Sequence, residues 1–280
     1  MEDKNNEEIE GYTCSDCCAD VSEEDKICPK CGADLTVFEE ENKEKDVHSI
    51  YNLELESFQY IQDPSSLTKF LKVMLVVYFT MSFISLVSDI MQLELLNSFS
   101  FSQTQADEND TRQRVIGISY IVIFVITGII FLKWIYRANV NCRGFIDNLS
   151  RDETGLIRKR IPEFTPGWSI GYYFVPFLTL YKPYKAMKEI FAISENPKDW
   201  YNIKVTDKTL IYWWALWLLT KSLSQLSFRL SLKATTIEAL QNSTTVSIIS
   251  EILALILSVV CINLVSKVFS KQEKLVKKIA

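Results

Sequence analysis

Residues 115–132 read VIGISYIVIFVITGIIFL, which is eighteen consecutive residues without a charged side chain. A helix needs roughly 20 predominantly apolar residues to cross a hydrocarbon core about 30 Å thick. Three further apolar blocks of comparable length occur at 73–96, 210–228 and 246–266. We therefore predict an all-α polytopic membrane bundle with four spanning helices within residues 67–280.

The charge of the chain is divided between two opposite parts. Residues 1–66 hold nineteen acidic and five basic residues, a formal net charge of −14, whereas residues 67–280 hold sixteen acidic and twenty-five basic residues, a net charge of +9. With 48% hydrophobic residues and only eight Gly and seven Pro, collagen, coiled coil and full disorder are excluded. The composition indicates an acidic soluble head on a basic membrane body.

Two Cys-x-x-Cys pairs in the head predict a zinc ribbon over residues 1–36. Four thiolates at this spacing can close a tetrahedron around Zn²⁺, and metal binding would supply the folding free energy of so short and polar a segment. Gly32 suits the positive φ that such a turn needs. The expected ligands of this structural zinc ion are Cys14, Cys17, Cys28 and Cys31.

Other readings of the head are weaker. A redox dithiol or a pair of disulfides is the alternative to zinc, and Cys18 is a spare thiol that could replace Cys17 as a ligand. Only two lysines, Lys26 and Lys30, lie between the first and last cysteines of the ribbon, and the surrounding segment is strongly negative, so we expect no nucleic-acid binding. A protein-contact module and an inert cap remain open as roles for the ribbon. Residues 37–66 form a charged linker, and its His48, the single histidine, reads as exposed.

The distribution of Lys and Arg predicts the topology. Twelve basic residues lie between Arg137 and Lys208. If the apolar block at 168–181 crossed the bilayer, half of them would lie outside, in conflict with the positive-inside rule. We therefore expect this block to be re-entrant or interfacial, within a segment at 166–195. The chain is then a multi-pass protein of the cytoplasmic membrane with both termini cytoplasmic.

Residues around the interfacial block suggest contacts with lipid. Residues 182–195 form an amphipathic helix, which either lies in the membrane interface or packs on the body. The run at 158–160 either recognises anionic lipid or only fixes orientation. A cluster of Trp213, Trp214 and Trp217 suits an aromatic belt at the inner membrane edge.

Two ionisable residues interrupt the last two apolar blocks. Lys221 lies near the middle of one and Glu251 lies inside the other. Charges at membrane depth usually face a partner or a wet cavity. An ion pair between the two, or a lysine that snorkels to the membrane interface, is the favoured interpretation, and a solute or proton pathway is the alternative. Asp89 reads as interfacial.

Several motifs in the body resemble a known family. In chain order they centre on Trp134, Arg137, Asn141, Pro176, Pro183, Tyr184 and Glu189. This order resembles the uncharacterised bacterial membrane family named domain of unknown function 4328, over roughly residues 70–270, and the ribbon looks like a separate N-terminal addition. Lys182 and Thr179 depart from the family pattern, which usually has Arg and often Asn there. No activity is assigned to the family, so the resemblance implies architecture without a mechanism.

No catalytic constellation is recognisable in the sequence. With one histidine in a charged linker, Ser–His or Cys–His catalysis is not expected. The sequence favours a non-enzymatic membrane anchor or sensor whose ribbon contacts a protein partner. The alternative is a small-solute transporter or channel lined by Lys221 and the re-entrant segment.

The ribbon generates the first testable prediction. The purified protein should carry one Zn²⁺ per chain by elemental analysis, because four thiolates complete the metal's shell. Replacing Cys28 with Ser should abolish zinc binding, whereas Cys18→Ser should retain it. Full zinc content in the Cys28→Ser protein would rule out the predicted ligand set.

Overall fold

The computed structural model describes residues 12–13, 20–21, 27–32, 58–149 and 161–277. The chain divides into two compact units, Met1–Glu56 and Ser57–Ala280. Strands β1 (Tyr12–Thr13) and β2 (Asp20–Val21) of the first unit pair antiparallel, with Tyr12 opposite Val21. In sequence they flank the first Cys-x-x-Cys pair, which lies outside the described residues.

The second Cys-x-x-Cys pair forms a tight turn. The backbone N–H of Gly32 donates to the carbonyl oxygen of Cys28 at 2.9 Å, and Gly32 has the positive φ of +76° expected from the sequence. A side chain at this position would be strained, because only glycine adopts that conformation at no steric cost.

The described part of the second unit contains six α-helices. In chain order they are α1 Ser65–Asn97, α2 Gln103–Leu149, α3 Pro166–Gly171, α4 Lys182–Glu195, α5 Lys208–Lys233 and α6 Ile237–Lys277. Within the described residues, α1, α2 and α6 are long and apolar enough to cross a membrane. The all-helical prediction for this part of the chain is confirmed. The α5 helix is long enough but too polar, because Lys221, Gln225 and several serines lower its mean hydropathy.

The three long helices and α5 pack side by side. The α6 helix packs along both α1 and α5, and α1 also packs on α2. The turns at 98–102 and 234–236 lie at one end of this bundle, which we call the distal end. The opposite end, called the basic end, holds α4, the start of α1 and the last turns of α2 and α6.

The hydrophobic core is concentrated at the basic end. The α4 helix buries Met187, Ile190 and Phe191 against α2, α5 and α6. The sequence left open whether this amphipathic helix lies in the membrane interface or packs on the body, and the structure shows that it packs on the body. Trp213 is fully buried in the same core, so it does not belong to the aromatic belt expected from the sequence.

The block at 168–181 does not form a spanning helix. Its backbone consists of α3, a turn and a short 3-10 helix at Leu178–Leu180, and these elements lead directly into α4. Phe177 has a positive φ of 63°, which is rare for a bulky residue, and its ring is exposed together with Trp168 and Phe174. The turn therefore presents aromatic side chains outward at the basic end.

Large apolar side chains also cover the outward faces of the long helices. They include Val76 and Phe83 on α1, Ile121 and Val125 on α2, and Ile252 on α6. Soluble monomers rarely expose a contiguous apolar surface of this extent. The exposed apolar faces and the three candidate spans are those of a membrane protein.

Candidate functional site

One face of α2 fastens the chain segment that precedes α1. Trp134, Arg137 and Asn141 are spaced three and four residues apart, so they share a helix face. The indole N–H of Trp134 donates to the Thr68 hydroxyl at 3.1 Å, and Arg137 donates to the Asp63 carbonyl at 2.9 Å. These bonds join the start of α1 to α2.

Asn141 makes the most specific of these contacts. Its side-chain oxygen accepts from the Gln62 N–H, and its amide nitrogen donates to the Gln62 carbonyl, both at 2.9 Å. The fully buried side-chain amide of Asn141 therefore pairs with the Gln62 backbone as a neighbouring β-strand would. Because only an amide offers both a donor and an acceptor in this geometry, Asn is specified at this position.

A second set of bonds docks residues 161–165 onto the body. The Glu189 carboxylate accepts from the backbone N–H groups of Glu163 and Phe164 at 2.8 and 3.1 Å. Arg143 and Asn139 both donate to the Phe164 carbonyl. Burial raises the pKa of Glu189, and the two N–H donors oppose that rise by favouring the ionised form.

The remaining motif residues shape the approach to α4. Pro183 is buried in the first turn of α4, where its missing N–H costs no hydrogen bond. Pro176 is exposed in the turn before the 3-10 helix, and Tyr184 is partly buried against the core. Lys182 pairs with Glu163 at 2.7 Å, and Thr179 donates to the Tyr173 carbonyl.

The beginning of α5 is fixed to the end of α6. Asp207 caps α5 by accepting from the Thr209 N–H, and it receives the Lys267 ammonium at 2.7 Å. Partial burial opposes ionisation, but the hydrogen bonds from Lys267 and Thr209 outweigh it and lower the pKa of Asp207 to about 2. The motif residues and this pair thus form a structural frame at the basic end.

Lys221 and Glu251 are not brought together. Lys221 lies on the exposed face of α5, with its ammonium 4.9 Å from the ring centroid of Trp217. Glu251 is buried on the side of α6 that faces α1 and α2. The expected ion pair between them is absent from the structure, because the two side chains point to different surfaces of their helices.

The surroundings of Glu251 are polar, and within the part of the chain that the structure describes no basic group pairs with its carboxyl. Its neighbours are the hydroxyl groups of Ser82 and Ser85 on α1 and of Tyr120 on α2. The Tyr120 hydroxyl also shares a 2.7 Å hydrogen bond with that of Tyr78. The Glu251 Oε2 atom has no hydrogen-bond partner.

Asp89 continues this polar cluster toward the distal end. It is buried, which corrects the interfacial position expected from the sequence, and it neighbours Ser247 and Gln113. Arg112 is its nearby cation and donates to the Ser88 hydroxyl at 3.1 Å. Among these side chains, the Asp89 Oδ2 atom lacks a hydrogen-bond partner.

Sequence reasoning missed most of this cluster, although a signal was present. Ser82, Ser85 and Asp89 are spaced at i, i+3 and i+7, so they lie on one face of α1. We call the set of Ser82, Ser85, Asp89, Tyr120 and Glu251 the buried acidic cluster. It is the candidate functional site, since polar side chains at membrane depth are costly and usually serve a function.

The predicted zinc ligands are only partly described. Cys28 is buried and Cys31 is exposed in the turn closed by Gly32. Cys14 and Cys17 lie outside the described residues, as does the basic run at 158–160. The described part of the chain contains no group of three or more His, Cys, Asp or Glu residues that could hold a metal.

The fold and the cluster define a helical protein of membrane type. Residues 98–269 match the family Domain of unknown function (DUF4328), which covers more than half of the chain. The chain belongs to this family, as the resemblance of its motifs implied. The match begins after α1 and includes the whole structural frame from Trp134 to Lys267. No curated protein and no solved structure matches the chain.

The two-way hydrogen bond of Asn141 generates the second prediction. Asn141→Leu should lower the thermal unfolding temperature in detergent, because it removes two hydrogen bonds to the Gln62 backbone, each worth about 0.5–1.5 kcal/mol. The matched control is Gln59→Leu, which removes an exposed amide from the same segment. Equal unfolding temperatures for the two variants would contradict the structural role of Asn141.

Proposed function

We propose that this protein is a four-span integral protein of the cytoplasmic membrane that anchors a cytoplasmic zinc ribbon, and that the ribbon contacts a protein partner. The protein acts as an anchor or sensor and has no catalytic activity of its own. The observation that carries this proposal is the packing of α5 along α6, since it supports a fourth crossing beside the three candidate spans.

Bonds along both helices support the fourth crossing. At the basic end Lys267 pairs with Asp207, and farther along the Ser224 and Ser250 hydroxyls share a 2.7 Å hydrogen bond. Near the distal end the Ser227 hydroxyl donates to the Ser243 carbonyl. Because α5 runs beside α6 over this whole length, it lies at the same membrane depth as its more apolar partner.

The polar residues of α5 are compatible with that depth. The serines at 224 and 227 bond to α6, and Lys221 lies over an indole ring with a long apolar stem that can reach the interface. Ile211, Leu219 and Leu226 are exposed on the outward face. These contacts explain how a helix too polar by composition alone can cross the bilayer.

Charge asymmetry supports the orientation. The basic end carries most of the lysines and arginines of the body, including Arg137, Arg143, Lys182 and Lys271. The distal end combines two arginines on α2 with the acidic residues Asp107, Glu108 and Asp110. The positive-inside rule places the basic end, and with it both termini, in the cytoplasm.

The described thiol groups of the body, like its motifs, do not favour a catalytic role. The Cys142 thiol is buried and lies 3.6 Å from both the Ile190 carbonyl oxygen and the Ser194 hydroxyl, so it is not accessible to a substrate. Cys261 is buried as well. A pathway lined by Lys221 and the block at 168–181 is not favoured, because Lys221 lies on an outward face and the block lies at the basic end.

Topology provides the third prediction. Single cysteines introduced near residues 106 and 242 of a protein without other accessible cysteines should react with an impermeant thiol reagent applied outside the cell. Cysteines near 155 and 200 should react only after the membrane is permeabilised. External labelling at 200 with protection at 155 would contradict four crossings, because the block at 168–181 would then cross.

Partner contact provides the fourth prediction. A photo-crosslinking residue at Lys30, on the exposed turn of the ribbon, should give a discrete protein adduct in cells. The adduct should disappear with Cys28→Ser, because loss of zinc unfolds the ribbon. The same probe at Lys274, near the end of α6, is the control position. The lack of any adduct at Lys30 would argue for an inert cap. An adduct that persists in the Cys28→Ser protein would contradict a contact made by the folded ribbon.

A further inference from the structure

The buried acidic cluster lacks a component that its chemistry requires. Glu251 is 8% exposed and Ser82 is fully buried, yet among the described residues neither the Glu251 Oε2 atom nor the Ser82 Oγ atom has a partner at hydrogen-bonding distance and angle. The two residues come from different helices and face each other. A buried polar atom without a partner costs about 1–3 kcal/mol, and in a polar site it indicates a ligand-binding or other functional role.

The charges of the cluster do not balance. Glu251 and Asp89 supply two carboxyl groups, and Arg112 is the one described cation beside them. Lys221, the other basic residue at this depth, lies over Trp217 on the outward face of α5. With both carboxylates ionised, one negative charge remains uncompensated inside an apolar bundle, where an isolated ion is strongly unfavourable.

The side chains that neighbour Glu251 in the cluster all offer oxygen atoms as possible metal ligands. They are the hydroxyls of Ser82, Ser85 and Tyr120, with the Asp89 carboxyl toward the distal end. Oxygen-only ligand sets select hard cations, and sulfur and imidazole ligands are absent from this cluster. A single uncompensated charge matches a monovalent ion better than a divalent one. A proton on Glu251 that is donated to Ser82 would give both of these atoms a partner, but it would leave the Asp89 Oδ2 atom without one.

We propose that the buried acidic cluster is a binding site for one alkali metal cation, with the Glu251 carboxylate as its charged ligand and Ser82 as a neutral ligand. This inference goes beyond the anchoring function and does not depend on the zinc ribbon. Bound cation supplies the missing positive charge and joins α6 to α1, so occupancy stabilises the packing of these two helices.

Polar side chains extend from the distal end of the bundle to the site. Arg112 and Asn109 lie near the beginning of α2, and Ser88 and Asp89 follow one helical turn deeper on α1. Ser247 neighbours Asp89, and Glu251 lies one turn beyond Ser247 on α6. These polar side chains connect the site to the distal end, which is the external end in the proposed orientation.

Thermal unfolding of the full-length protein in detergent tests the site and is the fifth prediction. Unfolding temperatures are compared in sodium, potassium, lithium and choline chloride at equal ionic strength. At least one alkali ion should raise the unfolding temperature saturably, by about 3 °C or more over choline, because a ligand that binds only the folded state stabilises it. Ser82→Ala should raise the half-saturating concentration about tenfold, and Glu251→Gln should abolish the effect.

Two matched variants control for general effects. Glu108→Gln removes an exposed carboxylate at the distal end, and Lys221→Met removes the outward-facing charge; both should respond to alkali ions like the unaltered protein. If Glu251→Gln does not fold, equilibrium binding of radioactive sodium to the unaltered protein and to Ser82→Ala decides the question, with one ion per chain expected.

Equal unfolding temperatures in alkali and choline salts, with no bound sodium, would overturn the proposal. An alkali effect that survives in a folded Glu251→Gln protein would overturn it too, because the ion would then bind elsewhere. A response to pH alone would assign a proton to the cluster in place of a metal cation. These outcomes are independent of the labelling and crosslinking that test the anchoring function.

Discussion

A polar group placed in hydrocarbon needs a partner inside the protein, and this constraint governs the body of the molecule. The backbone satisfies it by forming long uninterrupted helices, whose N–H and C=O groups bond within the segment. Serine and threonine hydroxyls satisfy it by bonding to carbonyls one turn back, as Ser258 does to Ala254. Where neither solution is available, side chains on neighbouring helices must meet.

The basic end shows the constraint satisfied almost completely. Asn141 and Glu189 bond to backbone groups of the segments before α1 and before α3, which have no secondary-structure partner of their own. These motif residues therefore belong to the frame that docks irregular chain onto helices. In this structure their role is structural.

At the centre of the bundle, some buried polar atoms do not meet this requirement. The Glu251 carboxyl has hydroxyl groups around it, but one of its oxygens and the Ser82 hydroxyl remain without partners. A protein that needed only an anchor could place leucine here and gain packing energy. Retention of two carboxyl groups and several hydroxyls in one buried place is therefore the feature of the body that most strongly indicates a ligand.

The sequence alone determined the helical body, its apolar blocks, the failure of residues 168–181 to form a spanning helix, and the tight turn at Gly32. These features depend on local composition and spacing, which are read directly from the chain. The ion pair of Lys221 with Glu251 was wrong because depth along a helix says nothing about which way a side chain points. The aromatic belt failed at Trp213 for the same reason.

Only the tertiary structure decided which faces meet. It buried the apolar side of α4 in the body, because α2, α5 and α6 leave a gap there that the helix fills. It also gathered Ser82, Ser85, Tyr120 and Glu251 from three helices separated by long stretches of sequence. Rotation of each helix about its axis is set by packing against its neighbours, and that information is spread over the whole chain.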